Sequence, residues 1–169
     1  MSDTPKPITS PAARKFRLLR PDKPATALGL AVSYLMLRPA FAGLKFGEWS
    51  RILVRQINRN HYCFVADEKQ QIAGFAGWAF TTRDLAEAWV EGRREITYQE
   101  SLEGECMLFN AWCASSFRAH RFMVDEARKI IITKETLYFK RHYPDGHTRP
   151  VRLNVNEFVA GHVDRKLLG

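Results

Sequence analysis

Covalent catalysis, proton transfer and anion binding need a nucleophile, a base or a cradle of backbone amides, and this sequence offers few of each. Cys63, Cys106 and Cys113 are three in number and lack CxxC spacing. They suggest neither a disulfide framework nor a zinc ribbon. Cys113 could hold an acyl group if its thiol were activated. Its neighbours Trp112 and Ala114 make a buried, inert thiol the expectation. His61, His120, His142, His147 and His162 form no HExxH or HxxxH pair, so no metal site is expected. Gln71-Ile72-Ala73-Gly74-Phe75-Ala76 matches a Q-x-x-G-x-A phosphate-cradle string. Such a cradle works through backbone N–H groups at a helix N-terminus. Here the string falls inside an apolar run of strand length with no helix directly after it, so we read the match as chance.

The elements that must position these groups follow from periodicity. Residues 1–26 hold five of the eight prolines and little pattern, so they read as a basic flexible tail, dispensable for folding. Residues 27–169 read as one domain, with order from about Leu28. Residues 28–37 are a buried helix stopped at Arg38-Pro39. Phe46, Trp49, Ile52, Leu53 and Ile57 mark one face of a helix over 45–58, with Arg51, Arg55 and Arg59 on another. Residues 62–66 and 72–80 form a hairpin around Asp67–Gln70, and Gly74 and Gly77 signal a bulge or close approach. A short helix over 83–91 and a charged loop over 92–104 follow. A strand over 107–114 leads to a helix capped by Ser115 or Ser116 and running to Ile132. Strands over 136–143 and 148–155 flank Pro144-Asp145-Gly146. The order predicts an α+β fold: a mixed, mostly antiparallel sheet with helices on both faces.

The chain has 169 residues, 46% of them apolar, enough for a single core and too many for a disordered chain. No apolar run is long enough to span a membrane, and no signal-peptide layout is present, so a cytoplasmic protein is expected. The net charge is +8, half of it within residues 1–27, which hold six basic and two acidic residues. This sign favours an acidic partner: an acidic protein, nucleic acid or an anionic membrane. Arg51/Arg55/Arg59 and Arg118/Arg121/Arg128 are the candidate binding faces. No helix-turn-helix, zinc finger or RNP-like string supports nucleic acid. Self-association into a homodimer stays open.

Leu28-Gly29, Tyr34-Leu35, Pro39, Asn60-His61-Tyr62 and Trp78-Ala79 occur in an order that resembles the RTX toxin-activating lysine acyltransferases. Gly104-Glu105, Phe109, Ala111-Trp112, Ala114 and Leu137–Arg141 extend the likeness over about residues 27–155. The resemblance implies a GNAT-like fold, an acyl–acyl-carrier-protein donor, no bound cofactor, and transfer to a protein lysine. It also implies a catalytic histidine two residues after a proline and an aspartate directly before the central strand's tryptophan. Those positions are Phe41 and Ala111, with Trp112 beside them as a binding residue. A lysine amine, with a pKa of about 10.4, must lose a proton before attack. Phenylalanine accepts no proton and alanine orients nothing. His61 is the fallback base. Asn110 is expected on the strand face opposite Ala111, because side chains alternate. Two readings follow: a lysine-acyltransferase-like protein weak or inactive in that reaction, or a binding module for carrier protein, acyl chain or another protein. Basic nucleic-acid binding is the third.

Overall fold

A computed structural model describes residues 15–156. Its elements are β1 (Arg17–Leu19), α1 (Pro24–Leu35), α2 (Pro39–Ala42), α3 (Phe46–Asn58), β2 (Tyr62–Ala66) and β3 (Ile72–Thr81). They continue with α4 (Arg83–Val90), a 3-10 turn (Gln99–Ser101), β4 (Cys106–Ala114), α5 (Phe117–Ile131), β5 (Thr136–His142) and β6 (Thr148–Asn154). The six strands lie in chain order in one sheet. Every neighbouring pair is antiparallel except β4 and β5, which α5 joins as a parallel crossover. The sheet carries helices on both faces, as expected.

One face packs on α5 through Val65, Trp78, Met107, Phe109, Met123 and Ile131. The other holds two groups. Tyr34, Leu35, Trp49, Leu53, Phe64, Phe75 and Ala111 pack under α1 and α3. Ala86, Trp89, Leu108 and Tyr138 pack under α4. Ser116, rather than Ser115, caps α5 by accepting from the Ala119 amide at 3.1 Å. Ser115 instead donates its hydroxyl to the Ala73 carbonyl at 3.0 Å, tying the strand end to β3.

Two boundaries differ from expectation. Residues 15–26 are part of the fold; the expectation for 1–14 lies outside the described residues. β1 pairs with β2, and Arg20 donates twice to the Tyr62 carbonyl, at 3.1 and 2.8 Å. A three-residue edge strand is too short to show periodicity, yet it satisfies the backbone groups of β2. The first helix starts at Pro24, because proline is pre-set for the first helical position. It ends at Leu35, leaving Met36 and Leu37 exposed. Phe46, expected on the buried stripe of α3, is exposed as well.

Candidate functional site

The site is built around an irregularity in β4. Gly77 pairs with Ala111 and Trp78 with Phe109, so Asn110 is an extra residue on β4 with no partner on β3. A bulge of this kind breaks alternation. Asn110 and Ala111 therefore both face α3, correcting the expectation of opposite faces. The Asn110 side-chain oxygen accepts from Gln56 Nε2 on α3. Ala111 joins the cluster of Tyr34, Trp49 and Leu53. Gln56 is fully buried and lies against Gly77, where any Cβ would overlap its carboxamide. Gly74 likewise admits the Met123 sulfur from α5. Gly74, the glycine of the Q-x-x-G-x-A string, and Gly77 just after it thus serve close packing inside β3. Beyond Phe109 and Phe139, β4 and β5 stop pairing although both strands run on.

Phe41 sits on α2, half-buried, and packs against the same cluster as Ala111. The fold thus brings together two positions far apart in the chain. Near them lie Tyr34 and Cys113. Burial pushes the Tyr34 phenol up to about 12, with Cys113 adding to the rise and Arg38 opposing it. The Arg38 guanidinium lies 4.3 Å over the Tyr34 ring. Burial also raises the Cys113 thiol, so it is no thiolate at neutral pH. Tyr34, Arg38, Gln56 and Asn110 were not singled out as members of this site by sequence reasoning. Gln56 carried a signal: it stands at i+7 from Trp49 on the apolar stripe, and a polar residue there must find a partner.

A profile of the RTX toxin acyltransferase family (HlyC) matches residues 21–156. The chain belongs to that family. Acyl transfer is the family's chemistry, and the mixed sheet with its parallel β4–α5–β5 crossover is the α+β arrangement expected from the sequence. Solved structures similar to this member include an acetyltransferase from Corynebacterium glutamicum, described with histone acetyltransferase HPA2. It shares 10% identity over 78% of each chain, with a TM-score of 0.46. A candidate acetyltransferase from Acinetobacter baylyi shares 12% identity over 79% of this chain and 72% of its own, with a TM-score of 0.45. A search of the curated proteins finds no match.

In this RTX toxin acyltransferase-family chain, His61 does not sit with Phe41 and Ala111. It lies on the α5 face of the sheet, stacked 6.2 Å from Trp78 and edge-on to Phe80 at 4.7 Å. Burial lowers its pKa to about 4, helped by Arg59, Lys134 and Arg20. It is neutral at pH 7 but a weak base, and the sheet stands between it and both Phe41 and Ala111. Trp112 also faces α5, donating its indole N–H to His120 Nδ1 at 3.1 Å.

The basic faces are only partly surfaces. Arg59 is buried, donating to the Trp78 carbonyl at 3.0 and 2.6 Å and to Ser101 Oγ at 3.0 Å. Burial lowers it to about 10, so it stays charged at neutral pH. It braces β3 and lines a cavity of about 30 Å³ with Arg55, Trp89 and Asn110. Arg59 is not on a docking face, because at the C-cap of α3 the Trp78 carbonyl and Ser101 enclose its guanidinium. Arg51 and Arg55 are exposed. On α5, Arg118 and Arg121 are exposed, whereas Arg128 pairs with Asp125 at 2.8 Å. Among the described residues no group of His, Cys, Asp or Glu could hold a metal, and no helix is long and apolar enough to cross a membrane.

Proposed function

We propose that this chain is a lysine-acyltransferase-fold protein that binds acyl-carrier protein and transfers its acyl group to a protein lysine at or near background. One observation carries this reading: Phe41 and Ala111 meet in a single apolar cluster, and the polar pair beside them is the amides of Gln56 and Asn110. Amides neither accept a proton from an ammonium nor orient an imidazole as a carboxylate does. Tyr34, raised to about 12, and Cys113, raised by burial, are acids too weak to be ionised and ready as bases. A missing general base costs about 10²–10⁴ in rate. Charge supports the binding half: the chain carries +8, and Arg51, Arg55, Arg118 and Arg121 stay exposed to attract an acidic carrier, chiefly by raising the on-rate.

Acyl transfer from a panel of acyl-carrier proteins to lysine-bearing acceptors tests it. Wild type is expected at background, with salt-sensitive carrier binding. Phe41→His with Ala111→Asp is expected to raise transfer, and each change alone to do little, because an unoriented histidine is a poor base. Robust transfer by the wild type overturns the proposal.

A further inference from the structure

The corner that carries Phe41 also displays a patch that neither fold nor acyl transfer explains. Between the end of α1 and the start of α3, Met36 is 55% exposed, Leu37 75%, Leu44 50% and Phe46 64%. They fall within eleven consecutive residues, wrapped around the single turn of α2. Exposed apolar side chains scattered singly are ordinary; a run like this marks an interaction surface. The corner is held rigidly from below. The Leu44 amide donates to the Phe41 carbonyl at 3.0 Å, and Phe46 lies edge-on to buried Trp49 at 5.6 Å. The exposed side chains are therefore presented outward by the fold itself.

The charges interleaved with them are of one sign. From Lys23 to Gly47 the chain carries Lys23, Arg38 and Lys45 and no acid. Arg38 stacks on Tyr34 with no carboxylate partner among the described residues. Lys45 reaches only Glu48, at 3.6 Å, with both side chains in water. Arg51 continues the positive side along α3.

We propose that this corner is a docking site for an anionic membrane surface. Leu37, Leu44, Met36 and Phe46 would enter the boundary between headgroups and acyl chains. Lys45, its side chain exposed, would stay among the lipid phosphates, its stem lying along the apolar residues. A protein partner is the weaker fit. The core of a protein interface is depleted of charged residues, whereas here exposed Lys45 stands between exposed Leu44 and Phe46. Membrane surfaces reward that mixture, with about a fivefold gain in partition for each lysine or arginine near anionic lipid. The inference does not depend on whether acyl transfer occurs.

The test is co-sedimentation of the full chain with vesicles of phosphatidylcholine alone, or with about one-third phosphatidylglycerol. Binding is expected to the anionic vesicles and to fall in salt. Leu37→Glu with Leu44→Glu should lower partition at least tenfold while leaving the melting temperature near wild type, since both side chains are already exposed. Lys45→Gln should weaken binding about fivefold. Ile132→Glu, an exposed apolar residue at the far end of α5, should leave it unchanged. No binding by wild type overturns the proposal, as does equal binding by the double glutamate variant. A dimer in light scattering that the same variant converts to monomer also overturns it, by assigning the patch to a second copy of the chain.

Discussion

His61 supplies a direct test of how the sheet divides this molecule. Its ring lies between Trp78 and Phe80, and burial holds its pKa at about 4 against an ordinary 6.5. In the unfolded chain the imidazole takes its proton as pH falls through about 6.5, while the folded protein refuses it until about 4. The unfolded state therefore binds more protons across that window, and stability is lost as pH falls. The full shift corresponds to about 3 kcal/mol; partial exposure and screening reduce this to about 1–2 kcal/mol. Urea unfolding followed by tryptophan fluorescence, from neutral pH to about 4.5, should show that loss. His61→Phe keeps the aromatic stack and should flatten the profile over the same range. The carboxylates of Glu87, Glu100 and Glu105, lowered chiefly by hydrogen bonds, act in a separate window below about 4.5. An unchanged slope in His61→Phe would refute the reasoning and restore His61 as a solvated, accessible base.

Three further outcomes are expected. Gly104→Ala should cost about 2–4 kcal/mol in denaturant titrations, because Gly104 has φ +149° and a Cβ there would overlap the Thr81 backbone. Arg59→Ala should lower unfolding stability by about 1.5–3 kcal/mol through its lost charge-assisted hydrogen bonds, while exposed Arg51→Ala stays within about 0.5 kcal/mol. Carrier binding should respond to Arg51 and not to Arg59→Lys in folded protein. A chain beginning at Ala27 should melt about 5 °C or more below the full chain, since it loses β1, the Arg20 bonds to Tyr62 and the first turn of α1.

Phe41 and Ala111 have a polar pair beside them in the fold. Where the resemblance implies a histidine and a carboxylate, the fold holds an aromatic ring, a methyl group and a bonded amide pair. A lone carboxylate introduced at 111 would enter this apolar cluster unpaired and would lower stability, whereas a paired one gains a partner. The two substitutions are therefore coupled energetically as well as chemically.

Local pattern alone determined most of the elements. Apolar spacing located α3 and α5, two apolar runs around Asp67–Gln70 located the β2–β3 hairpin, and the Pro144–Gly146 turn located β5 and β6. The absence of a base at 41 and of a carboxylate at 111 is likewise a property of residue types. What the chain could not display locally is which face each strand residue takes once a ladder is broken. The extra residue at Asn110 breaks alternation and places Asn110 beside Gln56, on the same face as Ala111. The same holds for β1, whose three residues gain order only by pairing with β2, and for Arg59, which reads as one of a solvent-facing stripe until Trp78 and Ser101 enclose it. Periodicity is a property of neighbours in sequence. Bulges, edge pairings and buried cations are set by neighbours in space, so only the packed sheet decides them.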